Sequence, residues 1–167
     1  RTNIYCGELG LGCEGFTKLD QMMSTKIINE ALDLGMNFID LYSSNPITRK
    51  NIGNALASRR KEMIIQGHLC EIWSDGQYER TRDIEKTKES FEALLKDLNT
   101  DYIDIGMIHY IDEEKDFDEV FNGEIIEYAK CLKEKGIMKE LRRRGLKDGS
   151  IIRVKDMDFE YFDGEQE

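Results

Sequence analysis

The sequence predicts an α/β protein in which helices cover a parallel β-sheet. Short apolar segments typical of buried strands alternate four times with segments whose apolar residues recur at helical spacing. Helices that connect strands in this way place the strands parallel, with right-handed crossovers. An open doubly wound sheet and a closed (β/α)8 barrel share this pattern, and the spacing of the segments leaves both open.

The first strand and helix are predicted within residues 9–35. Residues 9–13 are apolar and rich in glycine, which indicates a short strand. Ser24 is the expected helix cap, and Gly35 suits the helix end because glycine adopts the left-handed conformation common there. Four apolar residues between them have helical spacing: Ile27, Ile28, Ala31 and Leu32.

The second strand and helix are predicted within residues 37–56. Residues 37–41 have the composition of a short buried strand. Asn45 and Pro46 then form a good helix start, since asparagine caps free N–H groups and proline suits the first helical position. The apolar residues that continue this helix are Ile52, Ala55 and Leu56.

Two further strands enclose the third helix. Residues 63–66 predict the third strand, and a long polar loop is expected over residues 67–80. The helix that follows is expected to be capped by either Thr81 or Asp83. Residues 102–109 predict the fourth strand. The helix has the clearest apolar stripe of the chain, formed by Ile84, Thr87, Phe91, Leu94, Leu95 and Leu98.

A fourth helix is predicted after the fourth strand. It is expected to end near Gly136, and Ile137 and Met138 are expected to begin a fifth strand. Residues 1–139 are therefore expected to form the α/β domain. The apolar residues of this helix are Ile125, Ile126, Ala129 and Leu132.

The remaining residues, 140–167, predict a charged tail of different character. A β-hairpin is expected within it, with Lys155 and Asp156 near the turn. Its apolar strand residues are Ile151, Ile152, Val154, Phe159, Tyr161 and Phe162.

Charge and composition exclude several classes of function. Lys and Arg total 24 and Asp and Glu total 34 among 167 residues, which gives a net charge of −10. This excess argues against general nucleic-acid binding, and the basic residues between 133 and 147 are expected to form a solvated face. No apolar run approaches the roughly 20 residues of a membrane helix. The chain shows no export signal, so neither nucleic acid nor a membrane is an expected partner.

The four cysteines are widely spaced and form no Cys-x-x-Cys pair, so neither a zinc motif nor an iron–sulfur motif is indicated. In a chain without an export signal, they are expected to be reduced thiols in the cytoplasm.

Candidate functional residues lie where the predicted strands end. The strands end at Gly12 and Cys13, at Asp40, near His68 and at His109, and the chain has only these two histidines. Parallel α/β folds collect their functional groups at this edge of the sheet. An aspartate and two histidines that meet there can polarise a carbonyl group and deliver a proton.

Three other interpretations apply to the same residues. Asp40 also fits the cap of the following helix, and each histidine also fits a hydrogen-bonded structural residue. Asp40, His68 and His109 also match a metal site of two histidines and one carboxylate, the set used in metal-dependent hydrolysis. The primary expectation is nevertheless that these residues bind no metal. A dinucleotide motif, Gly10-x-Gly12-x-x-Gly15, lacks the helix that should follow it directly.

Four segments resemble the aldo/keto reductase family, in the same order and with the same spacing. They are Leu9-Gly10-Leu11-Gly12, Asn37-Phe38-Ile39-Asp40, Asn51-Ile52-Gly53-Asn54-Ala55-Leu56, and Asp101-Tyr102-Ile103-Asp104-Ile105 leading to Ile108-His109. The resemblance covers about residues 7–139. It implies a (β/α)8 TIM barrel, here a partial barrel of about four βα units, and NAD(P)H-dependent reduction of a small-molecule carbonyl substrate.

The segments Asp40-Leu41-Tyr42-Ser43-Ser44-Asn45-Pro46 and Ile65-Gln66-Gly67-His68 resemble an atypical bacterial branch of predicted oxidoreductases within this family. Members of that branch often carry a ferredoxin-like iron–sulfur segment, and nothing similar is present here.

The resemblance assigns roles to individual residues. Asp40 and His109 match catalytic residues of the family, and Gly12, Cys13 and Asp40 are expected near the nicotinamide of NADP(H) or NAD(H). Asn45 stands where the family has its catalytic tyrosine, and His68 stands where it has a lysine. Tyr42 or His68 is therefore the expected substitute proton donor, with His109 positioning or polarising the carbonyl group or itself donating the proton.

The chain is shorter than the roughly 250 residues of such a barrel, and it loses the family pattern after Lys139. One hypothesis is therefore a truncated oxidoreductase. The alternative is a non-catalytic half-barrel that associates with itself, since a four-stranded half-sheet leaves two unpaired edges.

Overall fold

A computed structural model describes residues 4–143, 145–154 and 157–161. The chain forms two compact units, Arg1–Ile126 and Glu127–Glu167. The strands are β1 (Leu11–Gly12), β2 (Phe38–Leu41), β3 (Ile64–Leu69), β4 (Glu71–Ser74), β5 (Gln77–Arg80), β6 (Ile105–Ile108), β7 (Ile151–Val154) and β8 (Met157–Glu160). The helices are α1 (Gln21–Asp33), α2 (Pro46–Leu56), α3 (Ile84–Asp97), α4 (Glu114–Phe121) and α5 (Glu124–Arg143), with 3₁₀ turns at Glu14–Lys18 and Arg60–Glu62.

The first unit is built on a four-stranded sheet in the order β1-β2-β3-β6, and every neighbouring pair is parallel. Helices α1, α2 and α3 connect these strands, which confirms the predicted fold class of alternating strands and helices. Because the strands are parallel, all four carboxyl ends lie at one edge of the sheet.

The two faces of the sheet differ in character. Ile39, Leu41 and Ile65 are completely buried in the hydrophobic core that the sheet shares with the helices. Asp40 alternates with these core residues along β2, so its side chain lies on the opposite face. The parallel register sets Asp40 opposite Gln66 on β3, and two residues further along β3 the same face carries His68.

Several predicted helix signals are confirmed. The Asn45 side chain accepts hydrogen bonds from the backbone N–H groups of Ile47 and Thr48, and Pro46 opens α2. Asp83, rather than Thr81, caps α3 by accepting from Lys86 N–H. Gly35 follows α1 with φ of 85°, the left-handed conformation expected of a glycine after a helix.

Other predictions of local structure were wrong. Asp20, not Ser24, caps α1, because its carboxylate accepts from the N–H of Met23 three residues later, and Ser24 lies buried inside the helix. Ile137 and Met138 lie within α5 and begin no strand, since the helix continues through Gly136 to Arg143.

The predicted loop over residues 67–80 is instead ordered as strand. β3 continues to Leu69, and β4 and β5 then form an antiparallel hairpin around a turn at Asp75 and Gly76. Both turn residues have positive φ, as tight hairpins require. The sequence did not predict this hairpin because β5 is exposed along its whole length and its side chains are mostly polar, so no run of apolar residues marks a strand.

The second unit contains most of α5 and the antiparallel pair β7 and β8. Val154 lies opposite Met157 in this pair. The predicted turn residues Lys155 and Asp156, and Phe162, lie outside the described residues. Within the described part of the chain, no helix is both long enough and apolar enough to cross a membrane.

Candidate active site

Three of the residues singled out in the sequence meet at the carboxyl edge of the sheet. Asp40 lies near the end of β2, His68 near the end of β3, and His109 directly after β6. The backbone N–H of His109 donates to the carbonyl of Leu69 over 2.9 Å, which continues the β3–β6 pairing and fixes the position of the histidine. Sequence-distant residues therefore come together because adjacent parallel strands end together.

Their side chains form a continuous hydrogen-bonded chain. Asp40 Oδ1 lies 2.8 Å from His68 Nε2, and His68 Nδ1 lies 3.0 Å from His109 Nδ1. Gln66 Nε2 donates to the same Asp40 oxygen over 3.0 Å, which holds the carboxylate in place. A carboxylate can only accept, so His68 Nε2 carries a proton, and the two Nδ1 atoms share a second one.

His109 ends this chain with a polar atom that has no partner. Its side chain is 2% exposed, and Nε2 makes no hydrogen bond to any described residue. Burial, helped by the charges of His68, Arg82 and Arg80, lowers the pKa of His109 to about 4. The His109 ring is therefore neutral at physiological pH, and it carries one proton, on either Nδ1 or Nε2.

Aromatic rings surround the two histidines. The Tyr42 ring lies 5.9 Å from that of His68 and 5.6 Å from that of His109. Tyr78, from β5, lies 5.2 Å from Tyr42 and 5.7 Å from His109, and Tyr110 lies 4.2 Å from His109. Burial, followed by the interactions with Tyr78 and Tyr110, raises the pKa of the Tyr42 phenol, so it stays protonated and can donate.

Asn45 does not take the place of the missing tyrosine. Its side-chain oxygen is already occupied by two backbone N–H groups at the start of α2. Among the described residues, the phenol that approaches both histidines from the segment after β2 is that of Tyr42, three positions earlier in the chain than Asn45.

Gly12 and Cys13 occupy the same edge but present different surfaces. Gly12 pairs with Asp40 in the β1–β2 register, and a Cβ at this position would meet no atom within 4 Å. The Cys13 thiol is 1% exposed in the hydrophobic core, and burial together with the Asp40 charge raises its pKa. Only the Cys13 backbone borders the edge, where its N–H donates to the Asp40 carbonyl over 3.2 Å.

Glu71 is the functional candidate that sequence reasoning missed. It begins β4 and is fully buried, with Oε1 3.0 Å from Arg49 Nη2. Its Oε2 has no partner among the described residues, and burial raises its pKa to about 8 against the opposing charge of Arg49. One ligand-type atom each from His68, Glu71 and His109 lies within 4.8 Å of the others.

The sequence held no usable signal for Glu71 or for Tyr78. Both lie in the segment that was predicted to be a loop, and 34 acidic residues give no reason to select one of them. The β4–β5 hairpin brings both residues to the site.

Comparison with known proteins identifies the class to which this fold and site belong. The model of the aldo/keto reductase family matches residues 5–146. Over 144 residues the chain is 31% identical to YqkF, an uncharacterized oxidoreductase of Bacillus subtilis, covering 83% of this chain and 44% of that protein. The chain belongs to the aldo/keto reductase family, and it spans about half the length of the curated relatives it matches.

Solved structures agree with this assignment. A Pseudomonas aeruginosa structure described as an aldo-keto reductase superposes with a TM-score of 0.70 at 30% identity, over 81% of this chain and 53% of that one. A Klebsiella pneumoniae aldo-keto reductase solved with NADPH has a TM-score of 0.50 at 15% identity, over 70% and 42% of the two chains, and shows the fold alone. The four βα units are thus a partial barrel of the TIM-barrel type.

Proposed function

We propose that this chain carries the proton-transfer residues of an oxidoreductase that reduces a small-molecule carbonyl compound with NADPH or NADH. The observation that carries the proposal is the chain from Asp40 through His68 to His109, which ends at the unpartnered His109 Nε2. A carbonyl oxygen placed against Nε2 would satisfy this buried atom and receive a proton from it.

The proton moves along the chain in two coupled transfers. In the reactive state His68 carries protons on both nitrogens, stabilised by the Asp40 carboxylate, and His109 carries its proton on Nε2. As the carbonyl carbon accepts a hydride, its oxygen takes the Nε2 proton, and His109 Nδ1 takes the proton from His68 Nδ1. The product is an alcohol, and His68 is left neutral, with its remaining proton on Nε2 and donated in a hydrogen bond to Asp40.

Tyr42 has a supporting role in this scheme. Its phenol remains protonated because burial and its tyrosine neighbours raise its pKa. It therefore serves as a second hydrogen-bond donor to the carbonyl oxygen and cannot act as a base. Two donors aimed at one oxygen stabilise the negative charge that develops there.

The carboxyl end of the sheet is open at Gly12, which leaves room for a bound nicotinamide. A Cβ at Gly12 would meet no atom within 4 Å, and Asp40 lies opposite Gly12 in the sheet. Gly12, the Cys13 backbone and Asp40 would border the ring, which supplies the hydride when bound. NADP(H) and NAD(H) are both proposed here, and a Klebsiella pneumoniae protein of the same fold was solved with NADPH. All four cysteines are unpaired, which suits a cytoplasmic location.

A second candidate function is a non-catalytic half-barrel that associates through its sheet edges. Within the described residues, β1 and β6 each pair with one neighbour only, so both edges expose backbone hydrogen-bonding groups.

Calorimetric titration of the folded 167-residue chain with NADPH, and then with NADH, tests the proposal. We expect saturable binding, carbonyl reduction that is lost in His109→Ala and in Asp40→Asn, and nucleotide binding that persists in His109→Ala. A folded chain that binds neither nucleotide, or reduction that survives in both variants, would contradict the assigned roles. The variant Glu62→Gln, an exposed carboxylate outside the site, is the matched control.

A further inference from the structure

The strongest unassigned feature is a buried group of three metal-ligand side chains. His68, Glu71 and His109 each offer one ligand atom, and these atoms lie within 4.8 Å of one another. The three residues are 7%, 0% and 2% exposed. Carboxylates and histidines are seldom buried together unless charge or hydrogen bonding compensates for the lost water.

One ligand atom of this group has no compensation from the described residues. Glu71 Oε2 is buried and makes no hydrogen bond. Arg49 satisfies only the other Glu71 oxygen, Oε1. Unpartnered buried polar atoms are rare in folded proteins, and each calls for an explanation such as a bound ion.

The histidine geometry suits an ion as well as a shared proton. The two Nδ1 atoms are 3.0 Å apart. Zinc–nitrogen bonds are about 2.0–2.1 Å long, so two nitrogens on one tetrahedral ion lie roughly 3.3 Å apart. The two imidazole rings therefore need to move apart by only a few tenths of an ångström to bind one ion through their Nδ1 atoms. The Glu71 carboxylate has to move further to reach the same ion, since the three ligand atoms lie within 4.8 Å of one another.

The residues behind His68 match the surroundings of a metal-binding histidine. His68 Nε2 lies 2.8 Å from Asp40 Oδ1, and Gln66 holds the same carboxylate. Metal-bound histidines commonly donate their second ring N–H to a carboxylate, which fixes the ring and strengthens the bond to the metal. Asp40 thus fixes the His68 ring by accepting a hydrogen bond from Nε2, and Glu71 is the carboxylate that lies close enough to bind the same ion as the histidines.

We propose that His68, Glu71 and His109 bind one divalent transition-metal ion of the zinc class. Two nitrogens and one oxygen favour zinc or cobalt over magnesium or calcium, which prefer oxygen ligands. Glu71 contributes one oxygen, because Arg49 retains the other. The inference does not rest on the proposed reductase activity, but bound metal would occupy the histidines of the proton chain and so inhibit that activity.

Cobalt titration of the full chain, purified with a chelator and kept reduced, is the direct test. We expect one equivalent of Co²⁺ to bind saturably, with visible absorption of a tetrahedral nitrogen–oxygen site, and one equivalent of Zn²⁺ to displace it. Absence of saturable binding would overturn the proposal. A strong near-ultraviolet thiolate-to-cobalt band would do so as well, since it would assign the ion to cysteines. The Cys6→Ser variant removes the exposed thiol as background.

Variants separate the ligands from their surroundings. Glu71→Gln and His68→Asn should each weaken cobalt binding at least tenfold, and Asp40→Asn should weaken it by about 10–100-fold. Glu62→Gln, an exposed carboxylate, should leave the affinity unchanged. Unchanged binding in both Glu71→Gln and His68→Asn would refute the site.

A measurement on the unaltered chain avoids any loss of folding in the variants. With only two histidines in the sequence, nuclear magnetic resonance can follow both rings directly. Both sets of ring signals should shift together and saturate at one equivalent of Zn²⁺, and ring signals that do not move would refute the site. Nucleotide binding is measured separately, so failure of the reductase proposal and failure of the metal site are distinguishable.

Discussion

At the scale of the residue, the polar groups that hold the site together are buried. Arg49 and Glu71 form an ion pair that is almost completely inaccessible, with side chains 3% and 0% exposed. Arg49 also donates from Nε to the Ser43 carbonyl over 3.1 Å. The pair therefore joins α2, the segment after β2 and the start of β4, and it positions Glu71 beside the histidines.

Replacing Arg49 tests how much the Arg49–Glu71 pair contributes to the free energy of unfolding. At about pH 9, above the raised pKa of Glu71, Arg49→Met leaves the Glu71 carboxylate buried without a counter-charge, which costs about 3–5 kcal/mol of unfolding free energy. Urea denaturation followed by circular dichroism measures the loss. Lys88→Met, which removes an exposed ion pair with Glu85, is the control and should leave the midpoint unchanged. Equal midpoints for the two variants would contradict the assignment.

Thiol reactivity should follow burial in the same way. Cys13 is buried in the core and its pKa is raised by burial and by Asp40, whereas Cys6 is exposed. Because the thiolate is the reactive form, iodoacetamide should label Cys6 in the folded chain and leave Cys13 unmodified. Mass spectrometry of tryptic peptides gives the extent of labelling, and denatured protein is the control in which both react. Labelling of native Cys13 as fast as Cys6 would contradict the buried position.

At the scale of the element, close helix packing depends on one glycine. A Cβ at Gly53 in α2 would lie 2.5 Å from the backbone oxygen of Leu98, directly after α3. Backbone cannot move aside as a flexible side chain does, so α2 and α3 approach here only because residue 53 is glycine. Ile52, Leu94 and Leu98 fill the core around this contact.

Gly53→Ala should therefore destabilise the first unit by about 1–3 kcal/mol, the range found for overpacked cores. Gly15→Ala is the matched control, since a Cβ there meets nothing within 4 Å. Thermal unfolding of both variants provides the comparison. A Gly53→Ala protein as stable as the Gly15→Ala protein would show that the helices are not in contact at this point.

Asp116 connects β5 with the start of α4. Its carboxylate lies 2.7 Å from Arg80 Nη1 and accepts from the backbone N–H of Asp112 over 3.3 Å. Burial alone would raise its pKa, but the Asp112 N–H and the charges of Arg80 and Arg82 outweigh burial and lower the pKa below its ordinary value of 3.8.

A depressed folded-state pKa gives a defined pH dependence. The stabilisation from ionised Asp116 is present above about pH 4, and it is lost as pH falls through the lower folded-state pKa. Asp116→Asn should therefore lower the melting temperature at pH 7, and its difference from the unaltered chain should shrink towards pH 2. Melting curves from pH 7 to pH 2 test this, and a difference that grows at low pH would contradict it.

At the scale of the whole molecule, the four parallel strands form part of a barrel, and among the residues that the structure describes β1 and β6 each pair on one side only. We expect the chain alone to associate, because unpaired strand edges bind other edges. Light scattering at several concentrations should give a mass above the 19.4 kDa of one chain. A constant monomer mass at every concentration would contradict association through the edges.

The sequence by itself determined the alternation of the four sheet strands with helices, and it placed Asp40, His68 and His109 at strand ends. Helical periodicity, the Asn45 cap and the strand-end positions of Asp40, His68 and His109 depend on neighbouring residues, so they can be read locally. The family resemblance rested on the same local motifs and is confirmed by the match over residues 5–146.

Only the tertiary structure decided which groups contact those residues. The β4–β5 hairpin is polar and exposed on β5, so no apolar alternation marked it, yet it brings Tyr78 and Glu71 to the histidines. The Arg49–Glu71 pair joins residues 22 positions apart, and the His68–His109 contact joins residues 41 positions apart. Such contacts depend on the register of parallel strands and on shared burial, which are properties of the folded chain and not of any local segment.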